Sequence, residues 1–321
     1  MKIDIISGFL GAGKTTLIKK LIKEELNKEK IAIIENEYGE VGIDGNLLKN
    51  EKIDVKEITS GCICCTITGD FKAAIIDIIK EYRPERIIIE PSGVAKLSQV
   101  IAAIVNNSEL KGARINMKIA VVDIQNLDMY LKNFGEFYIN QIVSANTIVL
   151  SRTQYSNIKE LTHASMAIRK LNPNCSIITT PWEEIESKRI IEVAEHKLKD
   201  VFKEVNLIKM PLNTPAIRGQ IRTKNGSADD VFENWGTETP RIFSLKELKQ
   251  ALNALNDKSI YGEVLRAKGI VRIEGNRWVQ FDYVPNDIQI VDFSSDYTGR
   301  ICVIGSKINK EPISKLFLKE S

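Results

Sequence analysis

The glycine-rich segment at residues 8–16 constrains the fold of this chain more than any other feature. It reads Gly-Phe-Leu-Gly-Ala-Gly-Lys-Thr-Thr, follows an apolar run at residues 3–6 and opens a helix-like segment at residues 14–27. The pattern G-x-x-x-x-G-K-[ST] is that of a P-loop, whose backbone N–H groups face phosphate oxygens at the start of a helix. Any glycine-rich turn before a helix has a similar composition, but the strand-loop-helix context favours a nucleotide-phosphate site.

The polar side chains of this loop suit that chemistry. The Lys14 ammonium reaches the outer phosphates, and the Thr15 hydroxyl can ligate Mg²⁺. The residues predicted to bind nucleotide in this loop are Gly8, Gly11, Ala12, Gly13, Lys14, Thr15 and Thr16.

Short β-branched runs alternate with amphipathic segments through the first two thirds of the chain. The predicted strands are residues 31–34, 86–89, 119–122, 147–150 and 176–180, and the predicted helices are residues 71–82, 97–106, 157–171 and 184–198. Apolar strands separated by helices indicate an α/β fold with a mostly parallel sheet covered by helices on both faces. Ligands of such sheets bind at the carboxyl ends of the strands, where the P-loop falls.

A change in composition divides the chain. Its 321 residues allow two domains. We expect a nucleotide-binding domain at residues 1–212, a polar linker or mobile loop at residues 213–239 and a smaller α+β domain at residues 240–321. The elements predicted in the last part are a strand at 241–243, a helix capped by Ser244 and ending near 255, a hairpin at 269–283 with Gly275-Asn276 in its turn, strands at 288–293 and 301–304, and a helix at 312–319.

Composition excludes several classes of protein. The 45 basic and 42 acidic residues give a net charge of +3, so no nucleic-acid or membrane-surface partner is expected. No apolar run approaches the about 20 residues of a membrane span, and the start of the chain lacks a signal-peptide pattern. A soluble, cytoplasmic protein is therefore expected, and the odd count of five cysteines argues against a disulfide framework.

Two segments after the P-loop contain candidate metal ligands. Residues 35–45 combine four carboxylates with three glycines, as expected either of a switch loop that handles Mg²⁺ or a second metal, or of a polar turn. Residues 61–65 read Gly-Cys-Ile-Cys-Cys, and thiolates suit Zn²⁺, Co²⁺ or Cu⁺. Because the sequence has no second Cys or His cluster, an open site that exchanges metal is favoured; inert buried cysteines or a redox pair are the alternatives.

A fourth segment, residues 87–93, is an apolar run that ends in Glu90 and is followed by Gly93. In P-loop enzymes an acid at this position holds Mg²⁺ through water, and a glycine N–H three residues later senses the γ-phosphate. A glutamate at the end of a strand is commonplace by itself, and the upstream P-loop makes it a specific expectation.

These four segments, in this order and spacing, resemble the CobW-type family of P-loop GTPases, which are metallochaperone relatives of the urease and hydrogenase nickel-insertion GTPases. The resemblance continues through Leu-Asn-Pro at 171–173 and Arg-Ala-Lys-Gly at 266–269 and covers essentially the whole chain. It implies Mg²⁺-dependent GTP hydrolysis coupled to loading or release of a transition metal, zinc or cobalt, for a client metalloprotein or corrinoid protein. A nucleotide- or metal-dependent dimer is compatible with it.

The resemblance also assigns residues. Those assigned to catalysis are Lys14, Thr15, Glu90 and Gly93, and those assigned to Mg²⁺ are Thr15 and Glu90. Those assigned to the transition metal are Cys62, Cys64, Cys65 and Glu37, with Glu35 and Glu40 as further carboxylate candidates.

The base-reading loop departs from the family pattern. Where the family reads guanine with N-K-x-D, this chain has Ser151-Arg152-Thr153-Gln154. An aspartate accepts both N–H groups of guanine, whereas Gln154 offers one acceptor oxygen, and its NH₂ faces a donor. Such a mismatch costs about 1–3 kcal/mol and relaxes guanine preference by roughly tenfold to a hundredfold. Arg152 can stack over a purine, so Ser151, Arg152 and Gln154 are predicted to bind nucleotide, with GTP expected and ATP left open.

Histidines and tryptophans add little at this stage. His163 and His196 fall in predicted helices and are interpreted as solvated, and Trp182, Trp235 and Trp278 are interpreted as packing residues. The alternative to a GTPase metallochaperone is a nucleotide-gated module that hydrolyses little and captures a client through residues 240–321. A P-loop kinase is a weaker alternative because no lid-like arginine cluster is apparent.

Overall fold

The computed structural model describes residues 1–35, 53–57, 70–106, 110, 112–195 and 233–318. The chain divides into two compact units, Met1–Lys197 and Leu198–Ser321. Within the described residues, none of the helices combines the length and the apolar character that a membrane span needs.

The first unit is built on a seven-stranded parallel sheet with the strand order β3-β2-β4-β1-β5-β6-β7. Its strands are β1 (Lys2–Gly8), β2 (Ile31–Glu35), β3 (Ile53–Glu57), β4 (Arg86–Glu90), β5 (Arg114–Asp123), β6 (Thr147–Ser151) and β7 (Ser176–Ile178). Its helices are α1 (Lys14–Glu24), α2 (Asp70–Tyr82), α3 (Leu97–Val105), α4 (Leu127–Asn133), α5 (Gly135–Ser144), α6 (Ile158–Leu171) and α7 (Ser187–Ala194).

Both faces of this sheet are buried, because successive side chains along each strand point to opposite layers of helices. Ile5, Ile34 and Ile87 lie in one core cluster with side chains of α2, α3, α5 and α6. Their neighbours Ile6 and Ile33 point to the opposite face, where the buried side chains of α1 and α7 lie. The sequence therefore reads as apolar runs, because a strand between two layers of helices has no solvent-facing side.

The predicted α/β fold is confirmed. The predicted strands of the first unit are present, and Asn157 caps α6 through a capping box with Glu160. The helix predicted at 14–27 ends at Glu24, and a short 3₁₀ turn, Leu26–Lys28, follows it. The helix predicted at 184–198 is shorter, since α7 covers only Ser187–Ala194. β3, α4 and α5 have no counterpart among the predicted elements.

The second unit contains a six-stranded sheet in the order β12-β11-β10-β13-β8, with β9 paired to β10. Its strands are β8 (Glu233–Thr239), β9 (Ile242–Phe243), β10 (Glu263–Ile273), β11 (Arg277–Val284), β12 (Asp287–Phe293) and β13 (Gly299–Ser306). Its helices are α8 (Leu245–Ala254), α9 (Lys258–Tyr261) and α10 (Lys310–Leu318). One face of the sheet packs on α8 and α10 around Phe281, Leu252 and Phe317.

Local signals in this unit are confirmed. Ser244 caps α8 with Glu247 as its capping-box partner. Gly275 and Asn276 both adopt positive φ, 77° and 57°, in the three-residue hairpin loop 274–276 between β10 and β11.

The linker prediction is wrong for its last seven residues. Residues 233–239 form β8, an edge strand that pairs with β13. Its sequence, Glu-Asn-Trp-Gly-Thr-Glu-Thr, looks like a loop because an edge strand needs only one neighbour and carries polar side chains. The remainder of the predicted linker lies outside the described residues.

Candidate nucleotide-binding site

The P-loop connects the carboxyl end of β1 to α1, at the centre of the parallel sheet. Gly8 and Gly13 have φ values of 151° and 99°. A Cβ on Gly8 would lie 2.5 Å from the carbonyl oxygen of Val121, so this position has no room for a side chain. The Gly13 carbonyl accepts the first α1 hydrogen bond, from the Leu17 N–H, at 3.0 Å. The glycines therefore permit the turn that aims the free N–H groups of the helix start outward.

Lys14, Thr15 and Glu90 meet at this edge of the sheet. The Thr15 hydroxyl oxygen lies 2.9 and 3.1 Å from the two carboxylate oxygens of Glu90. The Lys14 ammonium lies 3.9 Å from the nearer Glu90 oxygen and 3.5 Å from the Phe9 carbonyl oxygen. Lys14 and Glu90 side chains are only 10% and 8% exposed. The structure thus brings together the residues that the sequence assigns to phosphate and Mg²⁺.

The chemistry of this donor set fits Mg²⁺. A hydroxyl and a carboxylate are hard oxygen ligands of the kind that Mg²⁺ takes beside substrate phosphates. Glu35 ends β2 in register with Glu90 and is buried, so a second carboxylate lies on the adjacent strand. Lys14 supplies the positive charge that a polyphosphate needs next to these acids.

Gly93 lies against the P-loop. A Cβ built on Gly93 would come within 2.6 Å of the Leu10 nitrogen, so only glycine fits this contact. Gln141, on α5 and buried, donates from its amide nitrogen to the carbonyl oxygens of Gly93 and Ala95 at 3.0 and 3.1 Å. These hydrogen bonds from α5 therefore hold the loop that follows Glu90 beside the P-loop.

The loop after β6 contains the predicted base-binding residues. Arg152 adopts φ 61° and donates to the Asp123 carboxylate and, at 3.0 Å, to the Gly11 carbonyl oxygen. Ser151 is buried and its hydroxyl lies 3.5 Å from the Val122 carbonyl oxygen. Gln154 is exposed and makes no hydrogen bond with the residues that the structure describes. Arg152 thus connects this loop to the P-loop, whereas Gln154 faces solvent.

Trp182 also reaches the P-loop. It lies in the loop after β7, and its indole N–H donates to the Leu150 carbonyl oxygen at 2.9 Å. Its ring atom Cη2 lies 3.2 Å from the position that a Cβ on Gly13 would occupy. The interpretation of Trp235 as a packing residue is confirmed by its stacking on Phe317, but Trp182 packs on the phosphate-binding loop itself.

Most of the predicted transition-metal ligands lie outside the described residues. They are Cys62, Cys64, Cys65, Glu37 and Glu40. Among the residues that are described, no group of three or more Cys, His, Asp or Glu side chains could hold a metal ion.

Two other cysteines and one histidine are described. Cys175 and Cys302 are buried and form no disulfide within the described residues. His163 is exposed and lies 3.0 Å from the Asp128 carboxylate, as a solvated helix histidine would, and His196 is not among the described residues.

Three residues of the site have no motif in the sequence: Asp123, Gln141 and Trp182. Each acts through a contact with a residue far away along the chain. The position of Trp182 gives the one available signal, because it follows β7, which lies next to β6 in the sheet. A loop at the carboxyl end of a neighbouring strand is where a ligand contact is expected.

The sequence matches two known protein families. Residues 2–179 match the model of the CobW/HypB/UreG nucleotide-binding domain, and residues 232–319 match that of the cobalamin synthesis protein cobW C-terminal domain. The chain is 30% identical over 190 residues to the zinc chaperone YjiA of Escherichia coli, covering 57% of this chain and 58% of that protein. It is 34% identical over 178 residues to the zinc chaperone CobW of a Sinorhizobium species, covering 46% and 50%.

The chain spans about half the length of the curated relatives it matches. Among solved structures, zinc-bound YjiA GTPase from E. coli aligns with 100% of this chain and 99% of its own, at 19% identity and a TM-score of 0.45. The match of the nucleotide-binding model covers more than half of the sequence. The chain belongs to the CobW/HypB/UreG family of nucleotide-binding proteins.

Proposed function

We propose that this chain is an Mg²⁺-dependent GTPase that works as a metallochaperone. It binds zinc or cobalt through Cys62, Cys64 and Cys65, with Glu37 as a further ligand, and delivers the metal to a client metalloprotein or corrinoid protein. The meeting of Lys14, Thr15 and Glu90 at the carboxyl edge of the sheet supports the hydrolytic part most directly. Relatives named zinc chaperones, and the zinc-regulated GTPase metalloprotein activator 1 of Schizosaccharomyces pombe, 27% identical over 195 residues, support the metal-handling part.

In hydrolysis, Lys14 stabilises charge that develops on the transferring phosphoryl group. Thr15 and Glu90 would hold Mg²⁺, which would neutralise charge on the phosphate oxygens. The Gly93 N–H contacts the γ-phosphate, and Gln141 fixes the carbonyl groups on either side of that turn. The backbone N–H groups at the start of α1 bind the inner phosphates.

Metal handling couples to this site through chain connectivity. Residues 36–52 follow Glu35 at the end of β2, and residues 58–69 connect β3 to α2. Both segments therefore leave the edge of the sheet that holds the P-loop. A change at the γ-phosphate can alter the arrangement of carboxylates and thiolates in these segments, so GTP and GDP states bind the transition metal with different affinity.

Hydrolysis is tested with Glu90→Gln, which keeps the size of the side chain and removes the charge. We expect kcat for Mg²⁺-dependent GTP hydrolysis to fall about 10²-fold, as when one stabilising group of an active site is removed. Glu81→Gln, on the exposed end of α2, is the matched control. Equal kcat in Glu90→Gln and wild type would contradict the assigned role.

Metal binding is tested by anaerobic competition titrations of Zn²⁺, Co²⁺ and Ni²⁺, each without nucleotide and with GTP, ATP and their diphosphates. Cys64→Ala is expected to lose affinity, while Cys175→Ala, which removes a buried thiol elsewhere, keeps it. Equal metal affinity in Cys64→Ala and wild type would refute a thiolate site. Client capture that needs residues 240–321 but not Lys14 would instead favour the nucleotide-gated module.

A further inference from the structure

The loop after β7 places an aromatic ring beside the phosphate site. Trp182 is the only tryptophan in the sequence of the first unit. Its indole N–H binds the Leu150 carbonyl oxygen on β6 at 2.9 Å. Its six-membered ring lies against Gly13, with Cη2 at 3.2 Å and Cζ3 at 3.6 Å from the position of a Cβ on that glycine. One polar contact and one steric contact therefore fix the plane of the ring.

Trp182 is not fully enclosed. The residue has intermediate exposure and lies beside the P-loop. The other aromatic side chain at the P-loop, Phe9, is 4% exposed and packs on Tyr130, Phe134 and Tyr138 under the loop. Of these two aromatic residues, Trp182 is the less buried, and it is the candidate for contact with a ligand.

The loop after β6, which contains Arg152, also contacts the P-loop. Arg152 is held by Asp123 and by the Gly11 carbonyl oxygen, so its guanidinium and the Trp182 ring contact the P-loop at positions two residues apart. A nucleotide whose phosphates lie on the P-loop extends its nucleoside toward the strands that carry these two loops. Gln154 offers this base one acceptor oxygen, which leaves recognition of the base edge weak.

We infer that Trp182 binds the purine base of the nucleotide by stacking. The inference rests on the proposed function, in which the P-loop holds a nucleoside triphosphate. Stacking on an aromatic ring tolerates any base because every base has a π face. Affinity for the base therefore comes largely from a ring face, which suits a site that lacks the aspartate of the family pattern.

The test compares GTP with magnesium tripolyphosphate, which has the phosphates but no base, by isothermal titration calorimetry. Trp182→Ala is expected to weaken GTP binding by about tenfold to a hundredfold and to leave tripolyphosphate binding unchanged. Trp182→Phe keeps a ring and is expected to stay within about threefold of wild type for both ligands. Unchanged tripolyphosphate binding also shows that the variant P-loop is folded.

A role in packing alone gives a different result. If Trp182 only supports Gly13, Trp182→Ala weakens the binding of GTP and of tripolyphosphate equally, and the inference is overturned. Intrinsic fluorescence gives a second readout, since GTP should quench wild type more than Trp182→Phe, and tripolyphosphate should quench neither. Wild-type protein that binds neither ligand would refute the proposed function itself, whereas normal GTP binding by Trp182→Ala refutes only the inference.

Discussion

The two edges of the parallel sheet both hold buried charged side chains, but they hold them differently. At the amino edge, Arg86 is 1% exposed and donates to three carboxylates. At the carboxyl edge, the Lys14 ammonium lies 3.5 Å from a carbonyl oxygen of the P-loop and 3.9 Å from the Glu90 carboxylate. Burial of charge alone therefore does not identify a functional site; the two edges differ in what surrounds the charge, which is a set of carboxylates at the amino edge and a glycine-rich loop at the start of a helix at the carboxyl edge.

The amino edge is a network of hydrogen bonds and ion pairs centred on Arg86. The Arg86 guanidinium forms a two-pronged pair with Glu29, with distances of 2.8 and 2.9 Å, and also binds Asp4 and Glu195. The Asn116 amide donates to Asp4 at 2.8 Å and to Glu195 at 2.9 Å. These residues come from three strands and from the segments after α1 and α7, so the network ties together the start of the sheet.

The carboxyl edge presents backbone N–H groups at the start of a helix. Gly11 and Thr16 are exposed, and the N–H groups at the start of α1 have no partners within the helix. The Glu90 carboxylate lies 2.9 Å from the Thr15 hydroxyl oxygen and 3.9 Å from the Lys14 ammonium, beside the P-loop. The comparison therefore predicts that losing a charge at the amino edge affects folding, and that losing one at the carboxyl edge affects activity.

The largest expected effect is at the amino edge. Arg86→Met should lower the free energy of unfolding by about 3–5 kcal/mol, because Asp4 and Glu195 would remain buried without their cation. Urea denaturation measures this loss. Arg83→Met, three residues earlier and exposed, is the matched control. A loss below about 1 kcal/mol would show that the carboxylates adapt, and the contrast between the edges would fail.

Lys14→Ala is the converse change. We expect kcat for GTP hydrolysis to fall about 10²–10³-fold, since a cation that stabilises transition-state charge is removed. The unfolding free energy of the nucleotide-free protein should fall less than in Arg86→Met, because Glu90 keeps its hydrogen bond from the Thr15 hydroxyl. Lys23→Ala, on the exposed face of α1, controls for loss of a lysine. A large loss of stability in Lys14→Ala would show that Lys14, like Arg86, mainly stabilises the fold.

The sequence predicts the parts of this molecule whose signals are local. The apolar strands β1, β2, β4 and β6 are evident because each is buried on both sides. The segments Glu233–Thr239 and Ile53–Glu57 escape prediction because they form edge strands with polar residues, paired on one side only. Strand pairing is a long-range property, so composition cannot distinguish an edge strand from a loop.

The same distinction applies to the site. Lys14, Thr15 and Glu90 belong to motifs whose spacing is set by one strand-loop-helix unit or by the end of one strand. Trp182 lies 169 residues from Gly13 along the chain, and Gln141 lies 48 residues from Gly93. No short pattern connects such pairs, so only the fold reveals that they touch.

Gln154→Asp tests base recognition at the carboxyl edge. An aspartate accepts both guanine N–H groups, whereas xanthine presents a carbonyl oxygen in place of the amine. The ratio of GTP to XTP affinity should therefore rise about tenfold to a hundredfold in Gln154→Asp. Gln154→Asn, which shortens the side chain but keeps the amide, is the control. A ratio that changes less than about threefold would show that residue 154 does not contact the base edge.

The smallest expected effect is at the rim of the amino-edge network. Hydrogen bonds from Arg86 hold the pKa of Glu29 below its ordinary value of 4.5, although partial burial opposes them. A carboxylate with a lowered pKa in the folded state adds stability above its unfolded pKa, and that stability is lost as the pH falls through the folded value.

Because Glu29 is 32% exposed, Glu29→Gln should cost only about 0.5 kcal/mol at pH 7. That difference from wild type should shrink as the pH falls below 4.5 and the wild-type carboxyl group is protonated. Urea denaturation of both proteins across this range measures it, with exposed Glu25→Gln as the control. A difference that stays constant from neutral to acid pH would mean that Glu29 stabilises the edge through packing rather than through its charge.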